Sequence, residues 1–133
     1  MILVDSSVWI DYFRGTQNPQ TDLLDALLEQ ADVELGVADL VVFEVLRGFA
    51  SQAEQQRAKA LLLHTTVVEI GGLDNALIAA EHHRALRARS HTIRSPIDVL
   101  QASHCITHGH ALLHRDADFD AMETWRGLSV CRH

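Results

Sequence analysis

Five acidic side chains stand where the direction of the chain lets them meet. Asp5 closes the apolar run Ile2-Leu3-Val4 and is followed at once by Ser6 and Ser7, while Asp116 and Asp118 follow the run Ala111-Leu112-Leu113. Open α/β sheets bind ligands beyond the carboxyl ends of their strands, so acids at two strand ends can face one crevice. Glu44 and Asp98 sit inside apolar, helix-like segments, where a carboxylate is costly without a partner. Glu44 shares a helical row with Leu40, Val41 and Gly48, and Asp98 with Ala102 and Cys105, so both point partly inward. Carboxylates that converge in a partly dry site raise one another's pKa unless a cation keeps them ionised. Oxygen ligands with no thiolate or imidazole among them select Mg²⁺ or Mn²⁺ over Zn²⁺. Such an ion polarises a phosphoryl oxygen, activates a bound water and stabilises a leaving oxygen, which is the chemistry of phosphate esters.

Taken singly, each acid has a simpler use. Asp5 could cap the helix after it, Asp98 could favour a helix dipole near N3, and Asp118 or Asp120 could cap a last helix. Glu44 could pair with Arg47 one turn on. The set as a whole is harder to explain that way.

The elements that must position these acids follow from pattern and punctuation. Residues 2–5 read as a short buried strand, and Ser6 suits the N-cap of a helix that runs to Phe13 and stops at Gly15. Pro19 opens a helix with Leu23, Leu24, Leu27, Leu28 and Ala31 at helical spacing, and Val33 to Val37 is a second strand. Asp39 is placed to cap a helix reaching about Arg47, and Ser51-Gln52-Ala53-Glu54 has the form of a capping box for a helix to about Leu63. Thr65 to Ile70 is a third strand, and a long helix spans about Asp74 to Arg89. Ser95-Pro96 starts a helix that continues to His108, Ala111 to His114 is a fourth strand, and Leu128 to Cys131 adds a fifth. Strands alternating with helices imply a three-layer α/β/α sandwich with a mainly parallel sheet of four to five strands.

The 133 residues are expected to form one domain, long enough to bury a core without disulfides. No apolar stretch reaches the roughly 18 residues of a membrane span, and an acid at position 5 argues against a signal peptide. A cytoplasmic protein with Cys105 and Cys131 reduced is therefore expected. The formal net charge of −7 is unfavourable for a polyanionic partner. It is unevenly spread: residues 1–80 carry four Lys and Arg against twelve Asp and Glu, and residues 81–133 carry seven against six. Arg84, Arg87, Arg89 and Arg94 concentrate the positive charge; they are either a solvated helix face or phosphate contacts, with Arg94 the foremost candidate.

The opening MILVDSSVWIDYF, the helix LVVFEVLRG, the segment TIRSPIDVLQA and the closing HRDADFD together resemble a PIN-domain ribonuclease of the VapC toxin type, over nearly the whole chain and in order. The resemblance implies an acidic quartet of Asp5, Glu44, Asp98 and Asp116, with Asp118 as an auxiliary ligand and Ser7 as a polar group beside the metal. It also implies Mg²⁺- or Mn²⁺-dependent cleavage of RNA by metal-activated water, a homodimer, and neutralisation by a small VapB-type antitoxin. Trp9, Ile10, Phe13, Phe43 and Leu46 are expected to offer that antitoxin an apolar rim, or else to be core or dimer contacts. One departure is His114, which stands where many relatives carry a small hydroxyl residue.

Other readings compete. His104 and His108 are four apart on a helix, with Cys105, His110 and His114 nearby, and such pairs can bind Zn²⁺. The segment has no paired Cys-x-x-Cys and no Glu between the two histidines, which favours ordinary solvated or core-edge histidines. A phosphatase of the haloacid-dehalogenase kind would need a second Asp where Ser7 stands, and Lys59 is the chain's one lysine. A catalytically inactive module of the same fold, used for interaction or regulation, is the non-enzyme alternative, and the intact acid set counts against it.

Overall fold

A computed structural model describes residues 1–132. Its elements are β1 (Ile2–Val4), α1 (Ser6–Phe13), α2 (Pro19–Leu28), β2 (Leu35–Ala38), α3 (Asp39–Leu46), α4 (Gln52–His64) and β3 (Thr66–Val68), then α5 (Leu73–Arg87), α6 (Pro96–His108), β4 (Ala111–Leu113), a 3₁₀ turn (Ala117–Phe119), α7 (Asp120–Arg126) and β5 (Ser129–Val130). The five strands are all parallel and lie in the order β3-β2-β1-β4-β5. The chain winds outward from β1 through β2 to β3, then returns to the other side of β1 for β4 and β5. The order therefore reverses between β1 and β4, and the crevice of an open sheet lies at such a reversal, above the strand ends.

Alternating side chains divide the core. Val4 and Leu113 join one cluster with Trp9, Leu24, Val37, Val41 and Leu62, whereas their neighbours Leu3 and Leu112 join another with Leu86, Ala102, Cys105, Phe119 and Met122. Successive strand residues point to opposite faces, so these are the two cores of a three-layer α/β/α sandwich. Helix α1 packs on α2 and α3 over one face, and α5 packs on α6 and α7. Met1 Sδ and Leu3 crowd Gly36 so closely that a Cβ there would lie 2.5 Å from the sulfur and 2.9 Å from Leu3 Cδ2.

Several boundaries differ from expectation, each for a local reason. Asp5, not Ser6, is the N-cap of α1, its carboxylate accepting from the Ser7 amide. Asp39 is the first residue of α3 rather than its cap, and its Oδ1 accepts from the amides of Leu40 (2.9 Å) and Ile70 (3.1 Å). That second bond draws the Ile70 amide away from the ladder, so β3 stops at Val68. The amide of Val33 is likewise used in a turn to Gln30, and β2 begins only at Leu35. Ser51 caps α4 through the Glu54 amide, but the reciprocal capping box belongs to Asn18 and Thr21 at the start of α2. Both cysteines are free, and burial pushes the Cys105 thiol up to about 12. Among the described residues no helix is long and apolar enough to cross a membrane.

Candidate active site

Parallel pairing of Val4 with Leu113 brings the carboxyl ends of β1 and β4 together, and the Asp5 amide donates to the Leu113 carbonyl at 2.9 Å. Asp5 is 2 % exposed and both of its oxygens are engaged. Its Oδ2 accepts from the Ser7 amide (3.1 Å) and hydroxyl (2.6 Å), and its Oδ1 accepts from Gln101 Nε2 at 2.8 Å. Ser7 Oγ in turn accepts from the Arg115 amide at 3.1 Å, which clips the start of α1 to the end of β4. Asp116 caps the 3₁₀ turn by accepting from the Asp118 amide at 2.9 Å, so its side chain holds the backbone of Asp118. His114 supports the same turn: its Nδ1 accepts from the Asp116 amide at 3.1 Å while its ring packs on Phe119. Burial holds the His114 imidazole below its usual range against the pull of Asp5, Asp120 and Asp116.

Asp98 enters from the first turn of α6, where Pro96 sets the helix direction, and is 6 % exposed. One oxygen each from Asp98, Asp116 and Asp118 lie within 4.8 Å of one another. Burial, then the charges of Asp5, Asp116, Glu44 and Asp118, push the Asp98 carboxyl up to about 8. Glu44 is also raised, by burial first and by Asp5 second, against the Ser6 hydrogen bond and Arg47 that lower it. Its Oε1 is buried with no hydrogen-bond partner. Five carboxylates coupled in one pocket, one of them protonated near neutrality and another with an orphaned oxygen, fit the donor set of a hard divalent cation.

The geometry regroups the predicted acids. The tightest set is Asp98, Asp116 and Asp118, while Asp5 and Glu44 lie outside it and are linked to it by their charges acting on Asp98. Gln101 and Arg115 were not foreseen. Gln101 had a signal, a polar residue one helical turn after Asp98 on an apolar face, and it is fully buried. Arg115 had none; its guanidinium bonds Asp11 at 3.0 Å on the outer side of α1.

The arginines do not converge on the acids. Arg84 is exposed beside Glu81 (3.9 Å), Arg87 is exposed at the end of α5, and Arg89 lies over the Trp125 ring at 3.9 Å. Arg94 is exposed at the edge of an apolar cavity of about 290 Å³ lined by Ala79, His83, Ile93, Pro96 and Val99. The expected apolar rim is only partly free. Trp9 is fully buried, because its ring stacks on Phe13 and fills the core beneath α1, and it is no rim residue. Phe43 is 60 % exposed, and Ile10, Phe13, Val45 and Phe49 line a groove of about 370 Å³ with Arg14 and Glu54.

Comparison with known proteins shows the family and the fold. The PIN-domain family model matches residues 2–124. Ribonuclease VapC11 of Mycobacterium tuberculosis and a VapC ribonuclease of Mycobacterium bovis are each 30 % identical over 122 residues, 92 % of this chain and 91 % of theirs. Among solved structures, VapBC2 of Rickettsia felis bound to a promoter DNA fragment superposes with a TM-score of 0.77 at 15 % identity, covering 98 % of both chains. VapC20 of Mycobacterium tuberculosis, a toxin that cleaves the sarcin-ricin loop, gives 0.73 at 18 % identity over 100 % of both chains. The chain belongs to the PIN-domain family, among the VapC ribonucleases.

Proposed function

We propose that this chain is a single PIN unit that acts as the toxin of a type II toxin–antitoxin pair, an endoribonuclease dependent on Mg²⁺ or Mn²⁺. The observation that carries the reading is Asp98, buried among four other acids with its carboxyl pushed up to about 8. An acid cluster of that kind is unfavourable in a stable fold unless a cation offsets it, and phosphodiester cleavage is a use for that cation.

Asp98, Asp116 and Asp118 would hold the ion, with Asp5 and Glu44 completing the catalytic acid set. When bound, the ion supplies Lewis acidity toward a phosphoryl oxygen and a lowered pKa for water. The chain does the rest by orientation. Gln101 and Ser7 hold both oxygens of Asp5, so that acid cannot swing. His114 and the Asp118 amide fix the turn that aims Asp116. To ligate an ion the Asp98 carboxyl would have to lose its proton to solvent, so ion uptake would be coupled to proton release. Ser7 and the cations Arg94, Arg87 and Arg84 are the proposed contacts to RNA phosphate, offsetting a chain of net charge −7.

Both structural relatives described above are toxins or toxin–antitoxin complexes, which supports a VapB-type partner here. The groove lined by Ile10, Phe13, Val45 and Phe49 suits the apolar face of an amphipathic segment, and Phe43 is exposed on α3. An Arg on that segment could reach the carboxylates in place of the metal's charge. A homodimer and a cytoplasmic location belong to the same reading.

The test is cleavage of total cellular RNA by the purified chain with Mg²⁺, with Mn²⁺ and with chelator, beside Asp116→Asn. Ion-dependent cleavage that Asp116→Asn abolishes is expected. Cleavage that persists in chelator, or in the variant, contradicts the proposal; ion binding without cleavage points to the inactive interaction module.

A further inference from the structure

At the far end of α6 from Asp98 stand three imidazoles that the acid site does not use. His104 and His108 are one turn apart on the helix, with ring centroids 4.3 Å apart. Gly109 then adopts a left-handed φ of 70°, and the amide of His110 donates to the Cys105 carbonyl at 2.9 Å. That locked turn folds His110 back against the helix, with ring centroids 5.7 Å from His104 and 5.9 Å from His108. None of the three rings has a hydrogen bond or an ion pair among the described residues. At a rise of about 1.5 Å per residue, His104 lies about 9 Å and His108 about 15 Å along the helix from Asp98.

We propose that His104, His108 and His110 form a second metal site, separate from the acid cluster and selective for a borderline-soft transition ion of the Zn²⁺ class. Zn–N bonds of about 2.0–2.1 Å at tetrahedral angles put imidazole centroids about 5 Å apart, and the three separations bracket that value. Imidazole binds metal in its neutral form, and the cluster favours that form. Burial first, then His108 and His110, hold His104 low, against a small opposing pull from Asp39. Burial first, then the Met1 amino group and His108, hold His110 low, against Glu34. The last carbonyls of α6 add a partial negative charge that favours a cation at this end of the helix. In the ion-free chain the rings lie tilted or stacked on one another rather than aimed at one point, and rotation of exposed His108 is the movement that ligation requires.

The experiment is a Co²⁺ titration of the full chain in excess Mg²⁺, followed by visible absorption and then by displacement with Zn²⁺. One equivalent of Co²⁺ should give the bands of a nitrogen-ligated ion and be displaced by Zn²⁺. His108→Ala, at an exposed position, should weaken binding by about tenfold or more without altering the far-ultraviolet circular dichroism, and Asp116→Asn should leave it unchanged. Absence of such bands in the wild type overturns the proposal. So does equal binding by a chain in which all three histidines are replaced by alanine, or loss of the bands in Asp116→Asn.

Discussion

The acid cluster and the arginine-bearing end of α5 carry the two signs of charge that an RNA-cutting site needs, and they are held in opposite ways. Three of the acid side chains are fixed by the core or by a named donor: Asp5 by Ser7 and Gln101, Asp116 by the turn that it caps, Asp98 by burial in α6. The arginines are exposed, and two of them have partners outside the acid cluster, Arg84 beside Glu81 and Arg89 over Trp125. A group that must place an ion to within a few tenths of an ångström is built into the interior at a cost in stability. A group that must only attract a polyanion can remain on long, mobile side chains, where exposed pairs contribute little.

The sharpest way to break this comparison is to remove one acid. Asp98→Asn keeps the shape and removes the charge, so RNA cleavage should fall by about 100-fold or more, while the ion-free thermal midpoint holds or rises. A variant that cuts at the wild-type rate would place Asp98 outside the catalytic set, and one that fails to fold would make it structural. Next in size is Gln101. Gln101→Leu should lower the cleavage rate by roughly tenfold, because Asp5 loses the donor that orients it. Gln101→Glu, which adds a carboxylate to the pocket, should lower ion-free stability at neutral pH as well, and melting curves of the two variants check this.

A smaller effect is expected in the pH dependence of stability. Burial and the neighbouring acids push the folded Asp98 carboxyl up to about 8, well above the ordinary carboxylate range, so the folded chain holds an extra proton across that window. Its contribution to ion-free stability is therefore greatest toward pH 4 and is lost as pH rises through about 8. The lowered histidines act the other way, so the quantity to measure is the difference in thermal midpoint between wild type and Asp98→Asn at each pH; it should shift in favour of the variant as pH rises. The arginines should give the least. Arg94→Ala should weaken RNA binding a few-fold and flatten its salt dependence, with the metal site intact, and Arg84→Ala should do less, as filter binding across a salt series would read.

The same contrast decides what was legible in the sequence. Asp5, Asp98 and Asp116 could be read because a strand end or a first helical turn fixes where a side chain points, and an acid in an apolar segment is conspicuous there. The mainly parallel sheet of four to five strands followed from the alternation of strand and helix, whereas the order β3-β2-β1-β4-β5 comes from the structure. The tight grouping of Asp118 with Asp98 and Asp116 was less visible, because it depends on the 3₁₀ turn that Asp116 caps. Asp5 capping α1 in place of Ser6, and Asp39 bonding the Ile70 amide, both hinge on which oxygen wins a nearby donor. Trp9 was left open between an exposed rim and the core and is core, because only packing distinguishes the faces of a short helix apolar on most sides. Arg115 had no pattern to reveal it, since its role comes from the chain ends that meet at Ser7.

The central claim is that the raised carboxyl of Asp98 is waiting for a cation. Calorimetric titration of the wild-type chain with Mn²⁺ at pH 7, in two buffers of different ionisation enthalpy, measures that directly. The account predicts that ion binding releases close to one proton, and that Asp98→Asn both weakens binding and abolishes the release. Binding with no proton release, or undiminished binding by Asp98→Asn, would contradict it.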